Sequence, residues 1–106
     1  FSFLLISNFK SSNYCLSAML KEPLAEKRFE IVSHLKANGV GTSVYYPKAV
    51  PHLTYYKEKY RYSDDSFPVA SWISESSIAL PVGPHLNIED MNYIIASIKE
   101  AIKEVK

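Results

Sequence analysis

The sequence has little cysteine and little glycine, and each shortage excludes a class of protein. Cys15 is the one cysteine among 106 residues, which rules out a disulfide within the chain and a disulfide-stapled secreted mini-protein. The three glycines, Gly39, Gly41 and Gly83, leave no room for a GxGxxG turn or a P-loop, both of which bring backbone close to phosphate. We therefore expect a reducing, cytoplasmic setting and no nucleotide turn of these two kinds.

Neither the charge nor the apolar runs point to a nucleic acid or a membrane. Twelve basic and eleven acidic side chains give a formal net charge of +1, which is too balanced for a protein that neutralises a phosphate backbone. The apolar opening at residues 1–6 is far shorter than the roughly 20 residues of a membrane span, and it lacks the basic flank of a signal peptide. We expect no nucleic-acid partner and no membrane partner.

The length and the first residues indicate one domain from a longer protein. A chain of 106 residues, 47% of them hydrophobic, can bury one core. The chain begins with Phe1 instead of Met, and its first apolar stretch precedes any turn or cap signal. We interpret residues 1–12 as a segment that joins an absent large domain to a small domain at residues 13–106.

Apolar spacing predicts two helices. From Asn87 onward, apolar residues recur at steps of three and four, which predicts a helix over residues 88–104 with Asn87 as its N-cap. Its apolar face would hold Ile88, Met91, Ile95, Ile98, Ile102 and Val105. A second helix, over residues 24–38, would begin after Pro23 and end before Gly39. Its apolar face would hold Ala25, Phe29, Val32 and Leu35.

Alternation and β-prone runs predict three strands, near residues 14–20, 42–46 and 76–80. Residues 47–75 form an irregular aromatic middle segment, in which we expect two short helical turns. The predicted fold is α+β, with a small, mostly antiparallel three-stranded sheet covered by two long helices.

Metal binding and triad catalysis are not supported by the spacing of the reactive side chains. His34, His52 and His85 lie far apart and Cys15 stands alone, so no pair has the ligand spacing of a zinc site. None of the serines lies in a nucleophile elbow. We predict no metal-binding and no catalytic residue in this chain.

The loop at residues 44–52 collects side chains that suit binding. It forms the exit from the predicted strand near residues 42–46, is stiffened by prolines, and carries two phenols, an ammonium and an imidazole, from Tyr45, Tyr46, Lys48 and His52. Binding groups often occupy such loops at strand ends. The structural alternative is that a tyrosine packs under the following turns while Lys48 points to water.

Four short motifs, in order, resemble the C-terminal domain of the DegT/DnrJ/EryC1/StrS aminotransferases. They are GVGTSVYYP at residues 39–47, FPVA at 67–70, SIALP at 77–81 and LNIEDM at 86–91. The resemblance covers about residues 13–104. Members of that family are pyridoxal-phosphate enzymes with the type I aspartate aminotransferase fold, and they typically aminate keto groups of nucleotide-linked sugars. The resemblance implies the same fold and activity for the full-length protein.

The resemblance also implies a division of labour. In that family a large N-terminal domain supplies the cofactor lysine, the acidic partner of the pyridine nitrogen and the phosphate contacts. No lysine here lies in the family's lysine motif, so we expect this chain to bind no pyridoxal phosphate and to be inactive alone. The resemblance implies a homodimeric full-length enzyme whose small domain caps the active site next to the nucleotide-sugar substrate.

The resemblance assigns substrate-proximal positions to Tyr45, Tyr46, Pro47, Lys48 and His52. Many relatives carry His-Tyr-Pro at this turn, so Tyr46 and Pro47 match the pattern and Tyr45 departs from it. His52 falls near a histidine that many relatives place just after the turn. The alternative function is a small α/β regulatory or protein-interaction module that needs no cofactor.

Overall fold

The computed structural model describes residue 8 and residues 10–106, which form a small α+β fold. Along this part of the chain the elements are strand β1 (Leu16–Met19), a 3-10 turn (Leu24–Lys27), helix α1 (Arg28–Ala37), a second 3-10 turn (Val50–His52), helices α2 (Thr54–Tyr60) and α3 (Pro68–Ser76), strand β2 (Ser77–Leu80) and helix α4 (Ile88–Val105). Residues 1–7 and residue 9 of the predicted joining segment lie outside the described residues.

The prediction of a three-stranded sheet is wrong. In the described part of the chain the sheet has two antiparallel strands, β1 and β2, with Leu16 opposite Leu80 and Met19 opposite Ser77. The predicted strand at residues 42–46 is reduced to one bridge, in which Ser43 and Ala79 exchange both backbone hydrogen bonds, at 3.1 and 2.7 Å.

Prolines and a helix end explain why this bridge does not extend. The antiparallel register sets Gly41 opposite Pro81, which has no N–H to donate to a ladder. In the other direction it sets Pro47 opposite Glu75, which belongs to the last turn of α3. The segment therefore touches β2 at one residue and then leaves the sheet as a loop.

The core lies between the sheet, α1 and α4. Its buried side chains are Leu20, Ile31, Leu35, Val40, Ile78, Ile94, Ile98 and Ala101. The hydroxyl of Tyr93 in α4 donates to the carbonyl oxygen of Asn38 at the end of α1, at 2.6 Å, which fixes the two helices to each other. At the start of α4, Asn87 and Asp90 form a reciprocal capping box, so the predicted N-cap is confirmed.

Both predicted helix faces are rotated relative to the buried ones. In α1, Ile31 and Leu35 are buried, whereas the ring of Phe29 is 72% exposed. In α4, Ile98 is 8% exposed, but Ile95 is 47% exposed. The apolar spacing predicted that these helices exist but not which face each one buries. The buried faces also contain polar and small side chains that an apolar pattern does not count, namely Arg28 in α1 and Ser97 and Ala101 in α4.

The middle segment is more regular than predicted, because its two short turns are the complete helices α2 and α3. The predicted helix at residues 88–104 is confirmed as the 18-residue α4, whereas the one at 24–38 is a 3-10 turn followed by the 10-residue α1. The architecture of two long helices is therefore wrong, since the described residues form four α-helices. Within the described ranges no helix combines the length and apolar character that a membrane crossing requires.

Candidate functional site

An open groove of about 510 Å³ lies between the loop that follows the Ser43 bridge, α2 and α3. Polar and charged side chains dominate its lining. The residues that line it are Pro47, Lys48, Ala49, His52, Lys57, Asp64, Asp65, Pro68, Ser71, Ser74 and Glu75. Such a surface offers hydrogen-bond donors and acceptors of both charges to a polar ligand.

The α3 wall of the groove is tied to the core by a buried arginine. Arg28 in α1 is 6% exposed, and its Nη1 donates to the carbonyl oxygens of Ser74 and Ser77, the latter at 3.4 Å. These carbonyls lie at the C-terminal end of α3, where the helix leaves its last oxygens without partners. Burial lowers the pKa of the Arg28 guanidinium, and the negative charge of Glu75 opposes that shift.

An ion pair links α2 to the turn before α3. The ammonium of Lys57 donates a hydrogen bond to the carboxylate of Asp64. This hydrogen bond, followed by the charge of Lys57, lowers the pKa of the Asp64 carboxyl, and the charge of Lys48 acts in the same direction. Both partners of the pair are substantially solvent-exposed. Lys57 and Asp64 therefore neutralise each other at one side of the groove.

The imidazole of His52 lies on the inner side of the groove with both nitrogens engaged. Its Nε2 is 2.8 Å from the carbonyl oxygen of Ser66, and its Nδ1 is 2.9 Å from the hydroxyl oxygen of Ser71. Ser71 belongs to α3, whereas Ser66 lies in the turn before that helix. His52 thus links its own turn to the turn before α3 and to α3 itself, through partners 14 and 19 residues further along the chain.

The structure divides the predicted site residues between two grooves. Pro47, Lys48 and His52 line the groove described above. Tyr45 lines a different groove of about 360 Å³, formed with residues 14–15, 41–43 and 79–82. The ring of Tyr46 is 76% exposed and lies 6.1 Å from that of Tyr45 between centroids. Their predicted role next to a substrate stays a prediction.

Sequence reasoning missed the far wall of the groove, which Ser71, Ser74 and Glu75 provide. These residues follow Pro68 in the short helix α3, and no local pattern brings them to Lys48. The acidic pair Asp64-Asp65 near several lysines was a usable signal for the Lys57 and Asp64 ion pair at the side of the groove, but not for this wall.

The described residues contain no group of three or more His, Cys, Asp or Glu side chains that could hold a metal ion. Cys15 is an exposed free thiol. The predicted cytoplasmic setting stays a prediction.

A comparison with protein families places the motifs in one family. The sequence model of the DegT/DnrJ/EryC1/StrS aminotransferase family matches residues 4–99. This match includes the groove and nearly all of the described elements.

Curated relatives agree with the family match. The chain is 36% identical over 74 residues to the erythromycin biosynthesis sensory transduction protein EryC1 of Saccharopolyspora erythraea, a match of 70% of this chain and 20% of that protein. It is 32% identical over 80 residues to the dTDP-3-amino-3,4,6-trideoxy-alpha-D-glucose transaminase of Streptomyces venezuelae, covering 76% of this chain and 21% of the relative. It is 33% identical over 76 residues to a pleiotropic regulatory protein of Geobacillus stearothermophilus, covering 72% and 20%. The chain thus spans about a fifth of the length of these relatives.

The described residues do not fit pyridoxal phosphate by themselves. A site for it needs an available lysine together with donors that cradle a phosphate. The groove with Lys48 and Lys57 contains no glycine, and Lys57 is paired with Asp64. The grooves that contain Gly39 or Gly41 are lined by no lysine. In these grooves of the described residues, lysine and glycine backbone therefore occur in separate places, so we assign no cofactor contact to their linings.

Proposed function

Because the chain belongs to the DegT/DnrJ/EryC1/StrS aminotransferase family, we propose that it is the C-terminal small domain of a longer, pyridoxal-phosphate-dependent aminotransferase. The amino acceptor is a keto group on a nucleotide-linked sugar. The observation that carries this proposal is the 32% identity, over three quarters of the chain, to a relative named as a transaminase of a dTDP-linked amino sugar.

The geometry of the groove supports a role in holding the sugar. Lys48 can face the negative charge of a nucleotide diphosphate, and the Ser71 hydroxyl can accept a hydrogen bond from a sugar hydroxyl. Tyr46 does not line this groove, but it precedes Pro47, which does, and its exposed hydroxyl is available to a sugar. The wall that carries Ser71 is attached to the core through Arg28, so little ordering is needed when a ligand binds. In this proposal the domain caps the active site from the substrate side.

The cofactor belongs, in this proposal, to the large domain of the full-length protein. When bound there, pyridoxal phosphate supplies the group that accepts and donates the amine. The residues of this chain bind and orient the sugar. The full-length protein acts as a homodimer, as the family resemblance implies.

The test uses the full-length protein and a panel of nucleotide-linked keto sugars with amino acids as donors. We expect the protein to hold pyridoxal phosphate, detected by its absorbance after dialysis, and to form an amino sugar, detected by mass spectrometry. The 106-residue chain is the matched control, and it should retain no cofactor. A full-length protein that holds no cofactor would refute the proposal and favour the regulatory or protein-interaction module. A 106-residue chain that retains one cofactor per molecule would refute the claim that the large domain supplies the cofactor contacts.

A further inference from the structure

The hydrogen bonds of His52 determine which nitrogen of its ring carries the proton. The carbonyl oxygen of Ser66 can only accept, so the Nε2 that lies 2.8 Å away must donate. In a neutral imidazole the other nitrogen is then an acceptor, and the hydroxyl of Ser71, at 2.9 Å, donates to Nδ1. One tautomer therefore satisfies both partners, and neither nitrogen remains available for a ligand.

The ring joins the segments that make up the groove. His52 ends a 3-10 turn whose backbone bond from His52 N to the Ala49 carbonyl is 2.9 Å long, and Ala49 directly follows Lys48. Ser66 closes its own turn through a 3.1 Å bond from its N–H to the Ser63 carbonyl. Removing the imidazole would remove both hydrogen bonds that link the loop carrying Lys48 to the turn before α3 and to α3.

We infer that His52 is a positioning residue, which holds the Lys48 loop against α3 as the Nε2-protonated tautomer, and that it does not bind the sugar itself. The inference rests on the proposed function for the identity of the ligand. The arrangement of hydrogen bonds does not depend on the proposed function, because it involves protein groups alone. The two claims can therefore fail separately.

The first measurement is nitrogen-15 NMR of the full-length protein labelled at histidine, with His52 assigned by its loss in His52→Gln. In the neutral ring we expect Nε2 to carry the proton and Nδ1 to have the shift of an unprotonated nitrogen. A predominantly Nδ1-protonated ring, or rapid exchange between the two tautomers, would overturn the inference.

The second measurement is amide hydrogen exchange at His52, Leu53 and Ser66, whose N–H groups are bonded within the two turns. In His52→Ala we expect exchange about tenfold faster, as loss of a hydrogen bond of ordinary strength would produce. Ser71→Ala should accelerate it less, because the bond to Ser66 remains. His52→Gln should restore much of the protection, because its amide can still donate to the Ser66 carbonyl.

The matched control is Ser33→Ala, which removes an exposed serine hydroxyl from α1. It should leave exchange in both turns unchanged. Unchanged exchange in His52→Ala would overturn the inference. So would labelling of Ser71 by a fluorophosphonate probe, since that would make the Ser71 and His52 pair a nucleophile with its base. None of these measurements uses the sugar, so their outcomes do not depend on whether the aminotransferase proposal is correct.

Discussion

Arg28 donates a hydrogen bond to the carbonyl oxygen of Ser74, a residue 46 positions further along the chain. This contact joins α1, which packs on α4 in the core, to the end of α3, which forms a wall of the groove. The arginine is buried and remains charged, since guanidinium groups do not deprotonate in proteins. This buried side chain therefore helps to fix the position of the groove wall, together with the backbone bond from Leu20 N–H to the Ser76 carbonyl.

Replacing this arginine should destabilise the domain. Arg28→Met keeps much of the side-chain volume but leaves the Ser74 carbonyl without its donor, which costs about 1–3 kcal/mol of unfolding free energy. The measurement is urea denaturation of the full-length protein and of the 106-residue chain. The neighbouring Lys27→Met removes an exposed ion pair with Glu30 and should have a much smaller effect. Equal effects of the two variants would contradict the role given to Arg28.

Because the buried face of α4 differs from the predicted face, truncating two similar isoleucines should lower the unfolding free energy by different amounts. Ile98 belongs to the core, so Ile98→Ala should reduce the unfolding free energy by about 2–4 kcal/mol. Ile95 is about half exposed, and Ile95→Ala should cost less than about 1 kcal/mol. Both values come from chemical denaturation under the same conditions. If Ile95→Ala lowered the unfolding free energy more than Ile98→Ala, in both the full-length protein and the 106-residue chain, α4 would bury Ile95 instead of Ile98.

A glycine at the end of α1 is required by its backbone conformation. Gly39 has a φ of +77°, in the left-handed region, where a side chain costs about 1–2 kcal/mol. We expect Gly39→Ala to lower the unfolding free energy by that amount, although a Cβ there would meet nothing within 4 Å. Gly41→Ala is the matched control, because a Cβ at Gly41 would also meet nothing within 4 Å, but Gly41 lacks the positive φ. A neutral result for Gly39→Ala would show that the helix ends in another way.

The Lys57 and Asp64 pair should respond to acid. Because Lys57 lowers the pKa of the Asp64 carboxyl, the pair contributes stability above the ordinary aspartate pKa of about 3.9 and loses it as pH falls through the lowered value. We expect Lys57→Met to raise the pKa of Asp64 towards the ordinary value, measured by carbon-13 NMR titration. Glu58→Gln, on the same helix, is the control for a general change in charge. An Asp64 pKa that does not move in Lys57→Met would show that the pair is absent in solution.

Local sequence patterns predicted the helices better than the sheet. The capping residues Asn87 and Gly39 mark helix ends through bonds and conformations within a few residues, so the sequence shows them directly. The failed strand at residues 42–46 has a β-prone composition. Its pairing is limited by Pro81, a residue far along the chain that removes a ladder hydrogen bond.

The candidate site was predictable in part for the same reason. Lys48 and His52 lie in one loop, so their proximity follows from chain connectivity and proline stiffness. The bond between His52 and Ser71 spans 19 residues and depends on how α3 packs, which no local pattern encodes. Polar residues in a short helix looked like an ordinary surface, although they form the opposite wall of the groove.

The most direct test of the account compares the two half-reactions of the full-length enzyme in Tyr46→Phe. The ring of Tyr46 is largely exposed, so the substitution removes a hydroxyl without disturbing the core. With a nucleotide-linked sugar that the wild type accepts, we predict a roughly three- to tenfold rise in KM for the sugar, the effect of losing one hydrogen bond. Cofactor content and the amino-donor half-reaction, followed by the absorbance of the bound cofactor, should be unchanged. Equal damage to both half-reactions, or no change in either, would contradict the claim that this domain contacts the sugar and leaves the cofactor to the rest of the protein.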